Sequence, residues 1–384
     1  MKRTTVRGLG LLLAACSISL AMQPLQAAAG NNPLPLPGTV TTWGGLTVTT
    51  VGSFTPVPVV FPQGVVPVSI SAYDYEGGLA ITQDGSLYEW YGETNVVPAK
   101  FTFPPPVTQV KAISTRGGGT LALTDDGLYD WNEIIGPTNP TKVVFPPAVT
   151  TVYAIAEGYT HSLAITDDGL YAWGSNWEGE LGLGAYAFTT NYIGYSRSPV
   201  KVQFPATVTR VIKIAAGYET SYAITDDGVY SWGVNGNGQL ANGSIGLDPA
   251  EFGFVGQPFP GKVLFNVIVQ KGSGTVTSIT EIVAGEASAM AITDDGLYAW
   301  PVAPHWYPAK VTFPHAVTKV KAIAAGYKHS LAVTDDGLYA WGDNSVGQLG
   351  IGKKYPSELT PTKVPGENNA IGVAATANHS IALH

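Results

Sequence analysis

A turn motif recurring about every 40 residues, four short apolar runs in each clean copy, and a last copy that stops half-way together predict an all-β fold. The architecture they define is a seven-bladed β-propeller of four-stranded antiparallel blades, its ring closed by pairing N- and C-terminal strands. Asp-Gly pairs end the copies of TDDG or TQDG at Gly85, Gly127, Gly169, Gly228, Gly296 and Gly337, with spacings of 42, 42, 59, 68 and 41 residues. A unit of that size cannot bury both faces of its own small sheet, so its neighbours must cover them.

In chain order, residues 1–29 read as an export signal. Lys2, Arg3 and Arg7 form a basic start, Leu9 to Met22 is apolar, and Ala27 to Ala29 offer a cleavage site. The expected product is secreted or periplasmic, with residues 30–384 forming one propeller domain and no further stretch apolar enough to span a bilayer. The only cysteine, Cys16, lies in this segment, so the mature chain has no thiol and no disulfide. Leu13-Ala14-Ala15-Cys16 also resembles a bacterial lipobox, which gives the alternative of an outer-membrane lipoprotein anchored through Cys16; against it, Ser17 to Met22 stays apolar. Without the signal the chain keeps 17 basic residues against 28 acidic ones, a net charge of about -11. That argues against nucleic acid and anionic membranes as partners.

The repeat unit is clearest from Lys310 to Trp341, where KVTFP, VTKVKAIAAG, SLAVTD and LYAWG read as four strands in a meander. Asp336-Gly337 predicts a two-residue type I′ hairpin turn. A calcium loop would need oxygen ligands alternating over about a dozen residues, whereas here the chain runs straight into LYAW; no metal is expected. The strands are apolar on both faces, as sheets sandwiched between neighbours require. The Trp of each LYAW position therefore reads as blade core. The half-copy HSIALH at 379 to 384 lacks its third strand, and Gly38 to Trp43 supplies one, with Trp five residues after Gly as in Gly85 to Trp90. Six intact hairpins and one assembled from both ends make the seven blades, and closure removes exposed sheet edges.

The stretch Ala324-Ala325-Gly326-Tyr327-Lys328-His329-Ser330-Leu331-Ala332, then Asp336 to Asn344, then Gly347-Gln348-Leu349-Gly350, resembles the repeat of the regulator of chromosome condensation family. Those proteins are seven-bladed propellers with the same offset between sequence repeat and blade. The resemblance covers nearly all of residues 30–384 and implies the fold; it does not fix a function. The namesake's nucleotide exchange on a nuclear GTPase does not carry over to an exported chain. The Gly-Trp-Arg-His segment of the plant ultraviolet-B photoreceptor is matched by Gly158-Tyr159-Thr160-His161, Gly217-Tyr218-Glu219-Thr220 and Gly326-Tyr327-Lys328-His329, with Tyr replacing Trp. Secreted bacterial members that grip β-lactamases with one face are similar in compartment, and imply a protein binder. The Gly-Gln-Leu-Gly element departs to Gly179-Glu180-Leu181-Gly182 and Gly238-Gln239-Leu240-Ala241, and is missing after Trp90, Trp131 and Trp300.

Length variation points to one face. The separations Trp90–Lys100, Trp131–Lys142, Trp173–Lys201, Trp232–Lys262, Trp300–Lys310 and Trp341–Lys363 are 10, 11, 28, 30, 10 and 22 residues, while Lys to the next turn Gly is 27 in four of five cases. Strand alternation puts these connections and the Gly-Tyr-x-His bends on one face, and the Asp-Gly and Phe-Pro turns on the other. Variable loops on a rigid scaffold are where binding concentrates. Their aromatics are the candidate partner-binding residues: Trp177, Tyr186, Phe188, Tyr192, Tyr195, Phe252, Phe254, Phe259, Trp306 and Tyr307. The competing reading folds these rings back onto the propeller. The opposite face carries Asp84 and five Asp pairs, read as a solvated turn rim, and the repeated Lys reads as a guard against edge pairing.

His161, His329 and His379 share one repeat position, which argues for hydrogen bonding in every blade and against catalysis. With no nucleophile elbow or phosphate loop, the chain reads as no enzyme and needs no cofactor; a hydrolase ranks last. The expectation is a monomeric, exported protein-binding scaffold with an unidentified protein ligand. The alternative is a carbohydrate-binding module of the cell surface or matrix.

Overall fold

The computed structural model describes residues 38–45, 53–74, 77–92, 97–132, 139–184, 194–243, 256–265, 278–300, 307–315, 317–353 and 357–384. Residues 1–29, including Cys16, lie outside them. The strands assemble into seven four-stranded antiparallel sheets. Blades 1 to 6 are meanders over 67–100, 110–142, 152–201, 211–262, 279–310 and 320–363. The closing blade takes its first two strands from 372–376 and 379–383 and its last two from 40–44 and 53–59.

Closure follows the predicted pairing. Val40 to Gly44 runs antiparallel to His379 to Leu383, register Val40↔Leu383 to Gly44↔His379, and pairs on its other side with Ser53 to Val59. Val40 and Trp43 have no exposed surface. Beside the strand, His384 Nε2 lies 2.9 Å from Glu367, both side chains buried, and the Thr41 hydroxyl donates to the same carboxylate at 3.2 Å. The backbone continues the seam, Gly38 N–H donating to His384 O at 2.6 Å and His384 N–H to Thr39 O at 2.9 Å.

The core lies between blades. Six of the third-strand tryptophans, Trp43, Trp90, Trp131, Trp173, Trp232 and Trp300, are buried, and Trp341 is half-buried. In every blade but the sixth, which has no Phe there, a Phe after the fourth strand meets the Tyr and Trp of the next blade: Phe145 lies edge-on to Tyr171 and Trp173, Phe204 to Tyr230 and Trp232. Such edge-to-face pairs add about 0.5–1.5 kcal/mol beyond area burial.

Two local expectations need correction. KVTFP does not begin the blade that follows it: Ala309–Lys310 is the outermost strand of blade 5, with Tyr298↔Lys310 in register, so each blade starts at its VKAIAA-type strand. The hairpin is also not type I′. Thr334 pairs with Gly337, so the turn positions belong to Asp335 and Asp336, neither of which has positive φ; Gly337 follows at φ 118°. This is a turn of two ordinary residues followed by a residue that only glycine fits easily.

Candidate functional site

The turn face comes out as a set of staples. The first Asp of each pair turns to the strand entering the blade: Asp167 accepts the Thr150 N–H at 3.0 Å and also its hydroxyl, and Asp125 and Asp335 hold Thr108 and Thr318 in the same way. The second Asp accepts the third-strand Tyr hydroxyl, Tyr171 to Asp168 at 2.6 Å, and the fourth-strand Lys, Lys201 at 3.0 Å. Lys142, Lys262, Lys310 and Lys363 pair likewise with Asp126, Asp227, Asp295 and Asp336. The repeated Lys is therefore a clamp from outer strand to turn, more than an edge guard. The Thr108 hydroxyl holds Asp125 down at about 2, and Tyr230 with Lys262 does the same for Asp227.

The opposite face is built from the first-to-second-strand bends and the third-to-fourth connections, which are bonded directly: Ser175 N–H donates to Thr160 O at 2.8 Å, Val234 N–H to Glu219 O at 2.9 Å and Asp343 N–H to Lys328 O at 2.8 Å. The bends also join blade to blade, Tyr159 N–H donating to Gly217 O at 3.0 Å, Tyr218 N–H to Gly285 O at 3.2 Å and Tyr327 N–H to Ala377 O at 2.9 Å. Where most blades have Gly before the bend Tyr, blades 1 and 2 have Asp74 and Arg116. Arg116 reaches across the channel from blade 2, donating Nη2 to Ala284 O at 2.7 Å and Ala325 O at 3.0 Å. Asp74 accepts the Gly117 N–H at 2.8 Å; burial pushes its carboxyl up, and Arg116 opposes that shift. This strut was not found from the sequence. Its signal is there, an Arg followed by Gly117-Gly118-Gly119 where other blades read Gly-Tyr-x-His.

Two of the repeated histidines join blades, and the third, His379, bonds Thr42 within the closing blade. His161 Nε2 and Ser221 Oγ are 2.8 Å apart, and Ser221 donates to Glu180 O at 2.9 Å; His329, Ser380 and Gln348 O repeat the chain at 2.8 and 2.8 Å. Since the Ser hydroxyl donates onward, Nε2 carries the proton. Burial depresses His161 to about 3, His329 to about 4 and His379 to about 3, so all three are neutral near pH 7. These carbonyls and their counterpart in blade 4 accept the next blade's Trp: Trp232 Nε1 donates to Glu180 O at 2.7 Å, Trp300 to Gln239 O at 2.9 Å and Trp43 to Gln348 O at 3.0 Å. After blade 2, which lacks the Gly-Gln-Leu-Gly element, Trp173 donates instead to the Asp130 carboxylate at 3.1 Å.

Glu180 departs from this pattern at a pH-sensitive place. Gln348 Oε1 accepts Val346 N–H and its Nε2 donates to Asp343, whereas Glu180 accepts from both Glu178 N–H at 2.9 Å and the Ser175 hydroxyl at 3.1 Å. Donor and acceptor have switched together at positions 175 and 180. Burial pushes the Glu180 carboxyl up to about 7. A raised carboxyl gives its full stability below the unfolded value near 4.5 and loses it as pH rises toward 7, at about 1.4 kcal/mol per unit. Glu180→Gln is therefore expected to exceed the parent by roughly 2–3 kcal/mol at pH 8, and by under about 1 at pH 4.5. Urea unfolding at both pH values measures this, and equal stability at pH 8 would contradict it.

Of the candidate aromatics, Trp177, Tyr195, Phe259 and Tyr307 are among the described residues; Tyr186, Phe188, Tyr192, Phe252, Phe254 and Trp306 lie outside them. Trp177 and Tyr195 are 68% and 60% exposed, and Phe259 44%. The long connection of blade 3 meets the outer strand of blade 4, Gly184 N–H donating to Pro258 O at 2.8 Å. Trp177 lies two residues after Ser175, which pairs with Tyr195, so these two rings fall on adjoining stretches, and Phe259 follows Pro258 in the outermost strand of blade 4. Tyr307 is half-buried, and its hydroxyl sits against Gly243, so it packs back onto the loop of blade 4.

A ring of seven such blades defines a β-propeller whose outer strands are stapled to the turns and whose bend face carries the connections of variable length. The regulator of chromosome condensation (RCC1) repeat matches residues 211–239 and 320–348, and a second description of the same repeat matches 167–224 and 335–383. The chain thus carries RCC1 repeats. It is similar to the crystal structure of human WBSCR16, with a TM-score of 0.69 at 20% identity over 90% of this chain and 98% of that one. It is similar to Prp20p from Saccharomyces cerevisiae, described with its binding to Gsp1p and histones, with a TM-score of 0.68 at 21% identity over 91% and 92%. A chain of the structure of Kap60 bound to yeast RCC1 (Prp20) gives 0.68 at 20% identity over 95% of both chains. At these identities the likeness concerns the fold.

Proposed function

We propose that the chain is an exported protein-binding scaffold that holds its partner on the bend face. The observation that supports this reading is the backbone contact between the long connection of blade 3 and the outer strand of blade 4, beside which Trp177, Tyr195 and Phe259 are exposed. Large rings on a preorganised surface give contact area at low entropic cost. Prp20p, with a similar fold, is described as binding Gsp1p and histones, which supports protein recognition by such a ring. No catalytic role is proposed, because His161 and His329 bond neighbouring blades and His379 bonds Thr42 inside the closing blade.

The test uses chain recovered from the medium or envelope, whose N-terminus is expected at Gly30. Pull-down compares it with a Trp177→Ala/Tyr195→Ala/Phe259→Ala variant of unchanged melting temperature. Capture by the parent and its loss from the variant is the expected result. Equal capture by both sinks the loop platform, and a protein retained on the membrane until Cys16→Ser releases it replaces secretion with lipid anchoring.

A further inference from the structure

At the axis of the bend face, blades 3 to 6 place Tyr159, Tyr218, Glu286 and Tyr327 at one repeat position. Tyr159 and Tyr218 stack at 4.2 Å with their planes 20° apart, and Tyr327 meets Tyr218 edge-on at 6.2 Å. Tyr159 and Tyr327 are 38% and 36% exposed, so ring surface remains open. Glu219 follows Tyr218 in the same bend. Burial and the neighbouring Glu286 push the Glu219 carboxyl up, and burial and Glu219 do the same to Glu178, so the three carboxylates act on one another. Glu286 lies beside Tyr327 and pushes its hydroxyl up, while Glu286 Oε2 is buried with no hydrogen-bond partner among the described residues.

The mouth already attracts a cation of its own: Lys328 Nζ stands 5.3 Å over the Tyr327 ring. The channel below is stoppered by Arg116, so a ligand here must seat end-on at the surface. A positive group relieves repelling carboxylates and is also drawn to electron-rich ring faces, which a neutral hydrogen-bond donor or an anion does not do together. We infer that this mouth receives a cationic side chain, an arginine or lysine presented by the protein partner, with Tyr159, Tyr218 and Tyr327 offering ring faces and Glu219 and Glu286 the counter-charge. The inference rests on the protein-binding reading and adds the chemistry of what is bound.

The probe is acetylated, amidated hexa-arginine, titrated calorimetrically at low salt. Glu219→Gln/Glu286→Gln is expected to weaken binding about tenfold, and Lys328→Met, which removes the competing cation, to strengthen it about threefold. Asp226→Asn/Asp294→Asn deletes the same charge from the opposite face and is expected to change binding less than about twofold. Equal weakening by the two double variants would reduce the effect to net charge and overturn the inference, as would no binding by the parent. If a captured protein partner is retained in full by the Gln variant, the mouth is not its seat, although protein binding stands. Mouth-specific peptide binding with no protein captured in the pull-down supports the cation site and removes the protein-binding reading.

Discussion

A chain beginning at Gly45 is expected not to form the closed ring, whereas one beginning at Gly30 melts in a single cooperative transition. The missing strand is short, but both its edges are paired and its side chains are buried. Removing Trp43 alone forfeits about 3–5 kcal/mol by the usual cost of large-to-small changes in a core. Its indole also satisfies Gln348 O, and Val40 and Thr42 are buried beside it. Together these losses approach the whole stability of an ordinary domain, about 5–15 kcal/mol. Adding a peptide of residues 38–59 in trans should restore part of the transition. If the Gly45 chain melts within a few degrees of the parent, the closure has been given too much weight.

The second large effect is expected from Arg116→Met. It strips donors from Ala284 O and Ala325 O and leaves Asp74 without its counter-charge, at a cost of about 3 kcal/mol. The pH dependence carries the signature. Asp74 already lies above its ordinary value, and loss of Arg116 raises it further. A carboxyl raised in the folded state contributes fully below about 3.9 and loses that contribution as pH rises through its folded value. The variant's deficit should therefore shrink as pH falls from 7 toward 4. Adding Asp74→Asn should recover part of the deficit at pH 7, and a double variant as unstable as the sum of the singles would show that the two residues are not coupled.

The repeat made the blade count and the closure legible, because each copy states the same pattern and the half-copy at 379 to 384 has its complement at 38 to 43. The tryptophan core and the structural histidines were legible for the same reason. What escaped depends on how equivalent positions meet in space. Asp335 and Asp336 look alike in a string, yet one faces the entering strand and the other a Tyr and a Lys. Arg116 looks like a lost Gly until the ring sets it opposite two carbonyls more than 160 residues away. The axial tyrosines were visible as bends, but not as a stack, since their contact crosses blade boundaries.

Ring closure also imposes an order in time. Each of blades 1 to 6 draws its strands from one local stretch and can assemble as soon as that stretch has been made. The closing blade cannot, since Thr41 and His384 are separated by 343 residues. The strand at 40–44 finds its neighbour only when 379–383 is present, and contacts that distant are slow to form. Throughout synthesis Val40 to Gly44 waits with an apolar, unpaired edge, the condition that invites pairing with another chain. A chain lacking 379–383 is therefore expected to expose that edge and to aggregate, which light scattering beside the parent would measure.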